Sequence, residues 1–231
     1  MVRCYSADMS LGESIDEVLL VPIYTQTEVA QLIATTQSSL QRWARGYQNP
    51  GASAQKSLIT VDRGGRGYTV PYIGLAEAYM IRAFRKAGVS MARIRPTVEK
   101  LRDEMGLSHA LASERLQTDG AEILWHLQEQ GHGESRLVVI RNNQAVFGEV
   151  VKEHLRKIDY RDGFAGRITL PGHYGADVTV DPRINYGQPT VAKYGVRVDD
   201  LLGRVKAGED VKHVAADYDL PYEALSSLIT A

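Results

Sequence analysis

The chain has one cysteine, Cys4, in 231 residues. A lone thiol excludes an internal disulfide and a cysteine-based metal cluster. No apolar run approaches the ~18–20 residues that cross a bilayer. The opening stretch "MVRCYSADMSLGESIDEV" has no apolar core of the kind a secretory signal carries. A cytoplasmic protein without membrane association is the expectation. The six histidines (His109, His126, His132, His154, His173 and His213) are scattered, with no His-x-x-x-His pair. No metal and no cofactor are therefore expected. "GHGES", His132 to Ser135, lacks the Gly-x-Ser-x-Gly of a nucleophile elbow. "RGGRG" is not followed by Lys-Ser/Thr, so it is not a phosphate loop. Asp199-Asp200 falls at a helix start, where carboxylates suit the positive end of the dipole. No set of residues for catalysis emerges, and an enzyme is not expected. Exact repeats and low-complexity tracts are absent as well.

What is present is ordinary in amount and uneven in placement. Hydrophobic residues make up 44% and charged residues 24%, as in a globular protein. The net charge of −1 hides two opposite halves. From Tyr24 to Arg102 there are 12 Lys/Arg against 4 Asp/Glu, a balance of +8. From Ser108 to Ala231 there are 14 against 18, or −4. A basic block of this kind points toward a polyanion.

"YTQTEVAQLIATTQSSLQRWARGY", Tyr24 to Tyr47, predicts two short helices with a break. Thr25 and Glu28 have the spacing of a capping box, and Tyr24 the place of a staple. Val29, Leu32 and Ile33 give the first helix an apolar face, and the helix should end near Ile33. Thr36 caps a second helix with Leu40 and Trp43 as its core stripe, stopped at Gly46. Ser57–Val61 and Tyr68–Tyr72 are β-prone, joined by the basic tip "DRGGRG". The layout is a winged helix–turn–helix. A strong helix follows, with Leu75, Ala78, Tyr79, Ile81 and Phe84 as its stripe and Gly88 as its stop. Ser90 opens another segment, which Pro96 should kink or restart.

The remainder reads as α+β. Hairpins are expected at Asp119-Gly120 and Asp162-Gly163, a strand at "RLVVI", a helix from Gln144 to Lys157 and a linker over Pro171 to Ala176. Three helices close the chain: Val198–Ala207, one capped by Asp210 that ends near Asp217, and one opened by Pro221. The fold class is mainly α with small β elements (α+β). Residues 1–23 form an extension, 24–107 the winged domain, 108–176 an α+β middle region, and 177–231 an all-helical domain resembling a second helix–turn–helix.

The motifs carry two resemblances. Tyr24 to Met105 resembles the MerR-type winged helix–turn–helix, with Tyr24, Ala30, Leu40 and Trp43 where that family keeps its core. Ala34 departs from it, because the family has glycine in the turn; a right-handed residue fits there if the turn differs slightly. Val178 to Ala231 resembles the small helical domain of VapB-like antitoxins. The match is Asp181-Pro182, Gly187, Pro189, Arg197-Val198, Ala207-Gly208-Glu209 and Ala215 to Tyr218. Tyr194-Gly195-Val196 stands where that family has Gly-Thr. The second resemblance implies a PIN-domain ribonuclease toxin as partner and repression of the chain's own promoter.

A recognition helix places its N-terminal residues against base edges in the major groove. Here Gln37, Ser38, Gln41 and Arg42 would read bases, with Gln suited to adenine and Arg to guanine. Thr36 and Arg45 would hold phosphates, and Arg63 and Arg66 at the tip would meet phosphates or a minor groove. Reading double-stranded DNA in this way implies a homodimer over a two-fold operator. The alternative is a stand-alone regulator of MerR type with a small-molecule effector.

Overall fold

The computed structural model describes residues 15–46, 56–62, 64, 69–106, 108–116, 150–170 and 176–230. The hairpin expected at Asp119-Gly120, the strand "RLVVI" and most of the linker expected at Pro171 to Ala176 lie outside these residues.

The fold is mixed α+β with an N-terminal helix–turn–helix. Its first half runs β1 (Pro22–Tyr24), α1 (Gln26–Leu32), α2 (Gln37–Arg45), β2 (Val70–Pro71), α3 (Tyr72–Lys86) and α4 (Met91–Met105). α1 begins on a complete capping box. The Glu28 amide donates to Thr25 Oγ1 at 3.1 Å, and the Thr25 amide donates to Glu28 Oε2 at 2.6 Å. α1 ends in a Schellman motif: the Thr35 amide donates to the Ala30 carbonyl and the Ala34 amide to the Gln31 carbonyl. That motif needs a left-handed residue, and Ala34 supplies it at φ 51°. The right-handed conformation considered for Ala34 is therefore not the one adopted.

Two other expectations are corrected. Ser57–Val61 is not a strand; β2 pairs antiparallel with β1, ahead of the helix pair. Of the two outcomes expected at Pro96, a kink or a restart, the restart does not occur, because α4 is continuous through it. The bond lost is the one to the Ala92 carbonyl, and Ala92 is exposed, so water can satisfy that oxygen.

α3 is the axis of the core. The expected stripe is buried, but so are Tyr72, Ile73, Gly74, Ala76, Glu77, Met80 and Ala83. Such a helix is enclosed on nearly all sides. The short 3₁₀ turn Ala110–Ala112 packs against it together with α4 and β1.

In the second half, residues 150–155 are helical. β3 (Ile158–Arg161), β4 (Phe164–Thr169), β5 (Val178–Val180), β6 (Thr190–Val191) and β7 (Val196–Arg197) then form one antiparallel meander in sequence order. The β3–β4 turn is Asp162-Gly163 at φ 52° and 81°, as a two-residue hairpin requires. Helices α5 (Val198–Lys206), α6 (Val211–Asp217) and α7 (Tyr222–Thr230) follow. The C-terminal block is thus not all helical, since three strands precede its three helices.

Candidate nucleic-acid interface

α2 has two unlike sides. Leu40, Trp43 and Ala44 are buried with Val29 and Ala30 of α1 and with Ile33, which caps it. Gln37, Ser38, Arg42 and Arg45 are exposed, and Gln41 is half-buried. The sequence therefore folds into a pair whose packing consumes every apolar residue of α2 and leaves a polar, cationic face outward. Trp43 and Leu40 are core, as their spacing implied.

The N-terminal end of that face is ordered by its own bonds. Thr36 Oγ1 accepts from the Ser39 amide at 3.3 Å and lies 2.9 Å from the Ser39 hydroxyl. Gln37 Nε2 donates to Thr27 Oγ1 at 2.9 Å, bridging α2 to α1. Arg42 Nε donates to the Ser38 carbonyl at 3.3 Å, so the chain of the arginine lies along the helix. Thr36, Gln37, Ser38, Gln41, Arg42 and Arg45 are thus brought onto one helix and its cap. Arg63 and Arg66 lie outside the described residues.

Residues 57–60 are held by side chains rather than by a strand. Glu77, fully buried on α3, accepts from the Thr60 amide at 2.5 Å. Its other oxygen lies 3.3 Å from His109 Nδ1 and 3.8 Å from Arg102 Nη2. Arg102 also donates to the Ser57 and Leu58 carbonyls at 2.9 and 2.8 Å. The Leu58 amide donates to the Trp43 carbonyl. Gly74 allows the close crossing, because a Cβ there would stand 2.2 Å from the Thr60 carbonyl oxygen. Sequence reading missed this cluster: a single glutamate inside an apolar helix gives no spacing signal.

The antitoxin-like motif residues serve the fold. Asp181, 2% exposed, accepts from Arg161 at 2.9 Å and Arg167 at 3.3 Å. Gly187 lets β1 approach: its carbonyl accepts from Tyr24 Oη at 2.5 Å, and a Cβ would sit 2.7 Å from that oxygen. Burial pushes the Tyr24 hydroxyl far above the ordinary tyrosine range, so it remains a donor. Arg183 bonds Asp16 at 2.7 Å. In the helical end Arg204 pairs with Glu209 and with Asp217, and lies over the Tyr218 ring. Among the described residues, no three His, Cys, Asp or Glu side chains gather so as to hold a metal. No helix there is long and apolar enough to cross a membrane.

These elements define a helix–turn–helix protein with a second, strand-and-helix half docked on its first strand. The family model described as "Putative DNA-binding HTH domain" matches residues 22–98. One described as a protein of unknown function (DUF433) matches 178–230. The chain is 40% identical over 225 residues to "Putative antitoxin VapB45" of Mycobacterium tuberculosis, covering 91% of this chain and 94% of that one. It belongs to the family of VapB45. It is also 27% identical over 229 residues to the uncharacterized protein Rv2308 of the same organism, covering 96% of this chain and 93% of that one. The crystal structure of Rv2018 from Mycobacterium tuberculosis superposes with a TM-score of 0.73 at 35% identity, covering 91% of this chain and 98% of that one.

Proposed function

We propose that this chain is the antitoxin of a type II toxin–antitoxin pair, that it neutralises a PIN-domain ribonuclease, and that it represses its own promoter. The observation that carries the reading is the identity to VapB45 across nearly the whole of both chains. The outward polar face of α2 supports the DNA-binding half of the reading. In it, the N-terminal block is a winged helix–turn–helix of MerR type spanning 24–107. Gln37, Ser38, Gln41 and Arg42 read base edges, and Thr36, Arg45, Arg63 and Arg66 hold the backbone. Two copies place their α2 helices about one DNA turn apart, or a multiple of it, on a two-fold operator.

Coexpression with the product of the adjacent gene tests the first half. A stable complex and relief of growth arrest are expected; a product that neither copurifies nor is neutralised would sink it. Binding of the purified chain to duplex DNA from upstream of its own gene tests the second half.

A further inference from the structure

A second cationic surface lies outside α2, on the C-terminal end of α3 and the helical residues 150–155. Arg82 Nε donates at 3.2 Å to the carbonyl of Ala34, the left-handed residue of the turn between α1 and α2. One turn earlier on α3, the Tyr79 ring meets the His154 ring at 5.5 Å between centroids. Tyr79, Arg82 and Lys86 share one face of α3, at i, i+3 and i+7. The seam between the helix–turn–helix turn and residues 150–155 therefore runs along that face, and Lys86 closes its end.

The stretch itself is two-sided. Val151, His154 and Leu155 are buried, whereas Lys152, Glu153 and Arg156 face solvent. Its one described acid is shared: Lys157 Nζ lies 3.4 Å from Glu153, and the charge of Lys86 also acts on that carboxylate. The side chains of Lys86, Lys152 and Arg156 have no hydrogen bond or ion pair among the described residues. Burial first, and then the charges of Lys86 and Arg82, hold the His154 imidazole below its ordinary range, which fits cations gathered with too few acids. The Arg82 Nη1 atom is buried without a partner.

We propose that Lys86, Lys152 and Arg156 form a second contact to the phosphate backbone of the DNA that α2 reads. The proposal rests on the reading of α2 as the DNA-facing helix. Backbone contacts flank the recognition helix and fix register without reading sequence. On the face of α3 that carries Lys86, Arg82 holds the Ala34 carbonyl in the turn that leads into α2. Unpaired cations of this kind gain by displacing counterions from a polyanion. The middle of the chain thereby acquires a part in the same binding event.

The test uses the full chain and duplexes of about 30 base pairs, titrated between about 50 and 200 mM salt. One duplex comes from upstream of the chain's own gene, and the other is its scrambled counterpart. For Lys152→Gln/Arg156→Gln the slope of log affinity against log salt should fall by about two on both duplexes. The preference for the upstream duplex should stay within about twofold, since backbone contacts carry no sequence information. Lys86→Gln alone should lower the slope by about one, and it guards against misfolding of the double variant. Arg42→Ala should instead shrink the preference. Unchanged slopes in both variants, with the wild type binding, overturn the proposal and leave the α2 reading standing. A wild type that binds neither duplex overturns both.

Discussion

At the scale of single residues, α1 is held at its two ends by Thr25 with Glu28 and by Ala34. The capping box at Thr25 and Glu28 is spelled out over four positions, and the structure contains both of its bonds. Ala34 was not readable in this way: a right-handed residue was expected there, whereas the Schellman motif that closes α1 demands positive φ. A non-glycine residue there costs ~1–2 kcal/mol, offset in part by the lower chain entropy of alanine. Ala34→Gly is expected to stabilise the chain by ~0.5–1 kcal/mol, read as a raised urea midpoint; a lowered midpoint would contradict the assignment. Arg42 tests the recognition face. Arg42→Ala should weaken binding to the upstream duplex by ~1–3 kcal/mol if the side chain reads guanine, and unchanged affinity at moderate salt would remove it from the base readers. His154 gives a pH dependence. Its imidazole is buried and its pKa is lowered by that burial, so the unfolded chain binds the proton more readily. Stability from this group is full above the ordinary histidine value of ~6.5 and is lost as pH falls below it. His154→Gln should flatten the fall in urea midpoint between pH values of about 7.5 and 5.5, and an unaltered fall would show that other groups cause it.

Elements show how tertiary bonds override pattern. Ser57–Val61 has the residues of a strand, yet its backbone groups are claimed elsewhere. Ser57 and Leu58 give their carbonyls to Arg102, and Thr60 gives its amide to Glu77. With those groups satisfied by side chains 17 to 45 residues away, the segment needs no partner strand. None of this is visible in a window of ten residues, whereas the helix pair is, because its signals lie within four positions of each other. Removing the buried charge of Glu77 leaves Arg102 and His109 facing a weaker acceptor. Glu77→Gln should cost roughly 2–3 kcal/mol in urea unfolding; a loss below ~0.5 kcal/mol would mean the cluster is replaceable. The same contrast governs the last block. The helix boundaries were legible from Asp210, Gly208 and Pro221, but strands of two or three residues give no alternation to read.

At the scale of the whole molecule the question is whether the helix–turn–helix half is autonomous. We propose domain limits at 107 and 176, but the bonds that cross them are of the kind that hold a core. The Tyr24 hydroxyl reaches the Gly187 carbonyl across 163 residues of sequence. His109, Ala110, Leu111 and Ala112 lie beyond the first limit, and they cover Glu77 and the flank of α3. The sheet continues from β4 to β5 across the second limit. A fragment ending at residue 107 keeps α1 to α4, but it uncovers one side of a helix that is buried almost all round. It also strips His109 from a buried carboxylate. Exposing apolar surface costs ~25 cal/mol per Å², and a small unit has only ~5–15 kcal/mol to lose. The fragment is therefore expected to melt well below the full chain, by more than ~5 °C, or without a cooperative transition, in circular dichroism at matched concentration. A fragment that melts with the full chain would show that the contacts at Gly187 and Ala110–Ala112 add nothing to the first half. It would make that half a free-standing reader, to which the strand-and-helix half is merely attached. The loss of stability instead ties the two together: whatever binds the C-terminal half then acts on the same cooperative unit that holds α2 in place.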